Sequence, residues 1–333
     1  MKQPLTSFSD DRPSEWPHVT VAIPVRNGGA RFREVCATLR DQDYPGFDVL
    51  CIDSGSSDGS LDIVREHGFR LHQISPENFG HGRTRNLAFE LCDSPLVAFL
   101  THDAVPVDAA WLRHLVTALQ SAPDIAGAYG RHLPHLRTDP YVIRDLNAHF
   151  AARITPPVVR KRDFPRFDED ERLRQTCHFY SDNASIMRRD VWVTLPYPDV
   201  DFAEDQLWAL AALHAGYAIA YAADAPVRHS HDFGPWESFQ RSFDEARSFR
   251  RNFGYRMIRG PLHALRSILT QILRDLALGL RRGWIVTHPK RVLRRIGVDF
   301  MRPLGQYFGT LAAHSDGRTL SFLSRDNRLR KSP

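Results

Sequence analysis

Between Val19 and Tyr129 five short apolar runs alternate with four segments of helical spacing, and this alternation restricts the fold more than any other feature. The runs are Val19–Val25, Phe47–Ile52, Phe69–Ile74, Leu96–Leu100 and Ile125–Tyr129. Between them lie 30–41, with Phe32, Val35, Cys36 and Leu39 on one face, then Ser60–His67, Arg83–Cys92 and Val107–Ser121. Apolar runs this short, bounded by Gly, Pro and Asn, read as buried strands. Strands alternating with helices build a parallel, doubly wound sheet. Ligands of such sheets sit beyond the carboxyl ends of the strands, so the loops after each strand are where chemistry is to be sought.

The second half is less regular. Residues 155–175 are rich in Pro and charge and predict a mobile surface loop. Glu204–Ala215 reads as a helix and Tyr217–Tyr221 as a strand; helices follow over 236–253, 260–281 and about 288–312. The expected division is a leader over 1–17, an α/β domain over 18–234, a basic helical region over 235–312 and a tail over 313–333. No run reaches the ~18 apolar residues of a membrane span. The N-terminal segment lacks the apolar core of a secretory signal, so a cytoplasmic location is expected. Cys36, Cys51, Cys92 and Cys177 are scattered, which predicts buried thiols and neither a disulfide framework nor a zinc site.

Four loops carry polar groups suited to binding. After the first strand comes Pro24-Val-Arg26-Asn27-Gly28. After the second comes Asp53-Ser-Gly-Ser-Ser-Asp58, where Asp53 stands ready to accept a hydrogen bond from a base N–H or a ribose hydroxyl, and Asp58 reads as a helix cap. The third, Asn78 to Asn86, sets two glycines and the cations Arg83 and Arg85 at a helix start, a place for an anion such as a diphosphate. In the fourth, Thr101-His102-Asp103, a carboxylate beside an imidazole at a strand end suits Mg²⁺ or Mn²⁺ bridging phosphate oxygens. Each taken singly also reads as a turn, a cap or a solvated charge.

Taken in order, VAIPVRN, CIDSGSSDGS and the acidic fourth loop resemble the donor half of family-2 glycosyltransferases. Phe202-Ala-Glu204-Asp205-Gln-Leu-Trp208 resembles that family's ED motif, and Ala225-Pro-Val-Arg-His229-Ser-His231 its later histidine segment. The likeness covers roughly residues 19–231. It implies a GT-A fold: Rossmann-like α/β, a mostly parallel sheet with helices on both faces, here with a C-terminal helical extension. It implies inverting transfer from a nucleotide sugar held by Pro24, Arg26, Asn27, Asp53, Arg83, Arg85, His102 and Asp103. Asp205 is implied as the base that takes the acceptor hydroxyl's proton, with Glu204 and Trp208 at the acceptor. The metal, Mg²⁺ or Mn²⁺, is implied at Asp103 with His229 and His231. The usual Asp-x-Asp is Thr101-His102-Asp103 here, so one carboxylate of the pair is absent. His81-Gly-Arg-Thr-Arg-Asn86, Thr101-His-Asp-Ala-Val-Pro106 and Phe239-Gln-Arg-Ser-Phe-Asp244 resemble bacterial rhamnosyltransferases, which implies dTDP-L-rhamnose as donor and a glycan or lipid-linked acceptor in cell-surface polysaccharide synthesis. The alternative is a non-catalytic nucleotide-sugar or glycan-binding protein on a decayed scaffold. A dinucleotide oxidoreductase is disfavoured, because no G-x-G-x-x-G follows the first strand.

Charge is divided unevenly. From Arg250 to Pro333 there are 18 Lys and Arg against 4 Asp and Glu, a net +14, while residues 1–249 carry −9. Ile268, Ile272, Leu276 and Leu280 recur beside Arg266, Arg274, Arg281 and Arg282. Two readings stand: helices packed on the α/β domain with solvated arginines, or a surface that meets anionic lipid at the inner face of the plasma membrane. Nucleic acid ranks below both, since no recognised reading motif accompanies the charge.

Overall fold

The computed structural model describes residues 16–152, 156–200, 202–315 and 322–325. Most of the leader expected over 1–17, and most of the tail expected over 313–333, lies outside the described residues. Packing divides the chain into two units: one runs to Thr138 and includes Val142–Ser230, the other holds Asp139–Tyr141 and the chain from His231 on.

The first unit is built on one sheet. Its strands are β1 (Val19–Val25), β2 (Phe47–Asp53), β3 (Arg70–Gln73), β4 (Leu96–Leu100), β5 (Val105–Pro106), β6 (Ile125–Leu133), β7 (Val158–Arg160), β8 (Ala184–Arg188) and β9 (Ala218–Arg228). They run in the order β3-β2-β1-β4-β8-β6-β9-β5, and β7 pairs with β9. Strands β3, β2, β1 and β4 are parallel, as the alternation predicts. Beyond them the sheet is mixed: β8 runs antiparallel to both β4 and β6, β6 and β9 are parallel, and β5 and β7 are antiparallel to β9. Both faces are covered, and successive residues of a strand serve opposite faces. Val19, Val21, Ile23 and Val25 share a core with Phe32, Val35 and Leu39 of the helix Gly29–Arg40 and with Trp111 and Leu115 of the helix Trp111–Gln120. Ala22, Val97 and Phe99 join Phe89 of the helix His81–Glu90 and Trp208 of the helix Glu204–His214 on the other face.

The segment 155–175 departs from the loop expected there. Its described residues form β7, a 3₁₀ turn at Lys161–Asp163 and the start of the helix Glu171–Cys177. The charges that suggested a loop are fixed in place. Arg160 Nε donates to Asp124 Oδ2 at 2.7 Å, and Asp170 Oδ1 caps the helix by accepting from the N–H groups of Arg172 and Leu173. β6 and β9 outrun their expected ends because they pair with each other as far as Leu133 and Arg228.

In the second unit the helices are Pro235–Phe253, Pro261–Arg281, Trp284–Thr287 and Pro289–Leu311. The first and last of these touch backbone to backbone. A Cβ on Gly305 or Gly309 would fall 2.3 or 2.2 Å from the carbonyl oxygen of Phe239 or Phe243, so only glycine permits that approach. Arg295 is almost fully buried, with Nε 2.5 Å from Asp275 Oδ2 and 2.9 Å from Asp299 Oδ1.

Candidate active site

The carboxyl ends of β2, β1 and β4 lie side by side, and the polar loops expected to act start there. Asn27 sits in the left-handed region (φ 49°), which turns the chain sharply out of β1. It is clamped to the second loop: its N–H donates to Ser56 Oγ at 2.9 Å, and its Oδ1 accepts from Ser57 N–H at 2.8 Å. Asp58 is not the helix cap the sequence suggested, since Gly59 holds that position; from one residue earlier it accepts from the N–H groups of Gly29 and Ser60, the first residues of two helices. Burial opposes its charge, but the bonds from Ser60 and Gly29 prevail and lower its pKa. Asp53 is buried, and its Oδ2 accepts from Gly55 and Ser56 N–H at 3.0 and 3.1 Å. Its Oδ1 is buried with no hydrogen-bond partner among the described residues. An acceptor left so at a ligand-binding edge is suited to a donor brought by a ligand.

The antiparallel strand β8 adds to this edge. Leu100, the last residue of β4, pairs with Ala184, the first of β8, so Asp182 and Asn183 hang beside Thr101–Asp103. Thr101 N–H donates to Asn183 O at 3.2 Å. The pairing of Val105 with Arg228 then carries His229 to the same place, with Nε2 3.5 Å from Asp103 Oδ1. His229 Nδ1 lies 3.4 Å from Asn183 Nδ2. One carboxylate and one imidazole converging from two strand ends fit a hard divalent cation that also takes phosphate oxygens. His231 belongs to the second unit, where its ring stacks on Phe233 with centroids 5.0 Å apart. His102 lies beside β1, with Nδ1 3.4 Å from the carbonyl oxygen of Pro24.

Three carboxylates and one guanidinium form the other half of the site. The helix Glu204–His214 begins after Ala203, held in the left-handed region (φ 63°, ψ 32°) at a cost of about 1–2 kcal/mol. This turn directs Glu204 and Asp205 toward β8. Arg85 Nε lies 2.9 Å from Asp182 Oδ2, and its Nη1 donates to Glu204 Oε1. Asp205 Oδ2 accepts from the N–H of Asp182 at 3.3 Å, and its Oδ1 from that of Gln206 at 2.7 Å. Asp182 and Glu204 are buried, whereas Asp205 is half-exposed. Burial first, then the carboxylates of Glu204 and Asp182, push Asp205 well above the usual carboxylate range, and Arg85 offsets only part of this. Such a carboxylate is a stronger proton acceptor than an exposed one once ionised.

Several expected residues stand elsewhere. Arg85, expected at a diphosphate, is buried between Glu204 and Asp182, because their two charges demand a cation inside the fold. Arg83 is the exposed one of the pair, 3.3 Å from Asp199. Glu204, expected at the acceptor, is held inward by Arg85. Trp208, also expected there, is 1% exposed; it packs on Tyr180 at 5.1 Å and donates Nε1–H to Leu195 O at 3.0 Å, so it is a core side chain. Asp182 has no assigned role in the sequence analysis, and Gly82 enters it only as one of two glycines beside an anion. A Cβ on Gly82 would lie 2.1 Å from Pro198 O, so glycine is what lets the Arg85 helix approach the segment leading to Glu204. The signal for Asp182 was its place among Ser181, Asn183 and Ser185, a polar cluster entering a buried strand.

The family Glycosyl transferase family 2 matches residues 20–194. Over 230 residues the chain is 34% identical to the O-antigen chain rhamnosyltransferase RfbN of Salmonella typhimurium, covering 68% of this chain and 70% of that protein. It is 32% identical over 232 residues to the O-antigen chain rhamnosyltransferase WbaN of Salmonella anatum, covering 68% and 71%. Among solved structures it is similar to the mannosyltransferase PcManGT from Pyrobaculum calidifontis in complex with GDP-Man and Mn²⁺, with a TM-score of 0.61 at 16% identity over 95% of this chain and 92% of that one. That likeness is one of fold, and the fold is the GT-A arrangement.

Proposed function

Since the chain belongs to glycosyl transferase family 2 and is a glycosyltransferase, we propose that it moves L-rhamnose from dTDP-L-rhamnose, with inversion, to a hydroxyl of a glycan or lipid-linked acceptor in cell-surface polysaccharide synthesis. The observation that carries this reading is the ordering of two charge centres along one sheet edge: the Asp103–His229 pair at the ends of β4 and β9, and Asp205 braced beside β8. In the proposed reaction the acceptor oxygen bonds to the anomeric carbon as the bond from that carbon to the diphosphate oxygen breaks on the opposite face. Asp205 takes the hydroxyl proton; its two backbone hydrogen bonds fix its aim, and each oxygen keeps a lone pair for the substrate. Asp53 Oδ1 receives an N–H or hydroxyl of the nucleoside. Asp103 and His229 would hold Mg²⁺ or Mn²⁺, which supplies positive charge to the departing diphosphate. Arg83, exposed at the start of its helix, is the arginine that adds to this charge, while Arg85 acts through Asp182 and Glu204. Pro24, Arg26, Asn27 and His102 shape the nucleotide side, where the clamp of Asn27 onto Ser56 and Ser57 holds the loop for a ligand.

No helix among the described residues is long and apolar enough to cross a membrane. A lipid-linked acceptor would place the enzyme peripherally, at the inner face of the plasma membrane. The test is to supply purified protein with dTDP-L-rhamnose, UDP-hexoses or GDP-mannose and measure nucleotide release with and without acceptor. The expected result is turnover with the rhamnose donor that falls by ~10²-fold or more in Asp205→Asn, with donor affinity unchanged. Preferred turnover of another donor would overturn the sugar assignment, and near-normal transfer by Asp205→Asn would remove that residue from the reaction.

A further inference from the structure

We propose that the helix Pro261–Arg281 lies in the plane of an anionic membrane with its leucine stripe seated among the lipid headgroups. Leu262, Leu265, Leu269, Leu273 and Leu280 are exposed at 81, 52, 52, 66 and 70%. At 100° per residue these five fall within an arc of about 80°, so they form one stripe along the helix rather than scattered contacts. Ala264, Ile268, Asp275 and Gly279 are the buried positions of the same helix, and they occupy a different side. The stripe is therefore a second apolar face, beyond the one that packs within the unit. Val286 and Leu293, in the segments that follow, are likewise exposed, at 84 and 71%.

The charges around the stripe identify the occupant. Arg266, Arg274 and Arg281 are exposed on the same helix and Arg282 directly after it, with Arg274 also 2.8 Å from Asp275. Between Gly254 and Leu311 the only acidic residues are Asp275 and Asp299, and both are buried against Arg295. That stretch thus exposes leucine and arginine and no carboxylate. An exposed leucine stripe bordered only by cations complements a surface that is negative outside and apolar beneath, which is an anionic bilayer. A second copy of this face would bring like charges together. Arg295 is internal and takes no part in this surface, and Arg291 is half-buried 3.4 Å from Asp139. The use of such a face rests on the proposed lipid-linked acceptor, which a docked enzyme would meet at that surface.

Flotation of the full chain with vesicles tests the proposal. Wild type is expected to float with phosphatidylglycerol–phosphatidylcholine vesicles and to remain in solution with phosphatidylcholine alone. The triple variant Leu265→Asp, Leu269→Asp, Leu273→Asp should lose binding by ~10²-fold or more, since each leucine's transfer from water is forfeited. Arg266→Glu, Arg281→Glu and Arg282→Glu together should reduce binding most at low salt, because at 1 M salt charges act over only ~3 Å. All substituted residues are exposed, so melting temperature and transfer to a short soluble acceptor should stay unchanged. Undiminished flotation of the leucine variant, or equal binding to neutral vesicles, overturns the proposal. So does a dimer in solution that the leucine variant dissociates while vesicles capture neither protein. Absence of rhamnose transfer with intact flotation would count against the enzymatic reading alone.

Discussion

Replacing Arg85 by methionine isolates the electrostatics of the candidate base. The guanidinium bridges Asp182, at 2.9 Å, and Glu204, donates to His81 O at 3.1 Å, and lies over the rings of Phe99 and Tyr197 at 5.8 and 6.0 Å. Methionine fills similar volume among those rings but leaves both buried carboxylates without their cation. Breaking a buried ion pair in this way costs about 3–5 kcal/mol. At about 2–4 °C per kcal/mol for a domain of this size, the melting temperature should fall by about 6–20 °C. The sign of the pH dependence follows from the carboxylates. Burial already raises Asp182 and Asp205 above the ordinary value of 3.8, and loss of Arg85, which lowers both, raises them further. Above that value the folded state then holds more protons than the unfolded one, so stability declines as pH rises. The gap between wild type and variant should be smaller at pH 5 than at pH 8. Thermal melts at pH 5, 6.5 and 8 measure this, and the pH profile of transfer should show its acidic limb displaced upward. Arg85→Lys, which keeps the charge but not the two-pronged geometry, should fall between. A gap below 2 °C, or one that is the same at all three pH values, would refute the assignment of Arg85 as the counter-charge of this cluster.

Gly82→Ala should lower stability by about 1–3 kcal/mol, because its Cβ would fall 2.1 Å from Pro198 O; an unaltered melting temperature would show that the contact relaxes freely. Ala203→Gly should raise stability by about 0.5–1 kcal/mol, the relief of a left-handed alanine less the added freedom of the unfolded chain, and a lowered melting temperature would contradict it. Chelation should abolish transfer, Mn²⁺ or Mg²⁺ should restore it, and Asp103→Ala should weaken the restoration; full activity of a chelated preparation would leave charge compensation to arginine and histidine.

The parallel half of the sheet was legible because its strands are buried on both faces and stand out as unbroken apolar runs. Once those ends were placed, Asn27, Asp53 and Asp103 followed, since each is the first polar residue past a readable strand or close to it. β8 was not legible. Five residues, Ala184–Arg188, carry no periodicity of their own, and their direction is set by pairing with β4 and β6, which are distant in sequence. Arg85 and Trp208 were misplaced for a related reason. A local reading treats an arginine at a helix start as available to an anion and a tryptophan beside an acidic pair as available to a sugar. Arg85 meets its carboxylates across 97 and 119 residues, and Trp208 meets Tyr180 across a strand. Arg295 shows the same effect in the second unit, where a count of charge cannot see that Asp275 and Asp299 have drawn it inside.

The reversed direction of β8 also explains why two unlike charge centres share one edge. A parallel strand in its place would send residues 182 and 183 to the opposite edge, away from Thr101 and Asp205. Because β8 is antiparallel, its entrance lies at the carboxyl end of β4, and the loop before it touches both centres. Asn183 reaches His229, while the N–H of Asp182 reaches Asp205. The two centres meet opposite demands. The Asp103–His229 pair leaves room for added positive charge, which a diphosphate leaving group needs. The Asp205 cluster sets three carboxylates against the single guanidinium of Arg85, so its interior pairs are compensated while the group at its edge retains a raised proton affinity. A second cation there would hold Asp205 ionised more firmly but weaken it as a proton acceptor. One arginine for three carboxylates keeps the cluster folded and leaves its half-buried member basic.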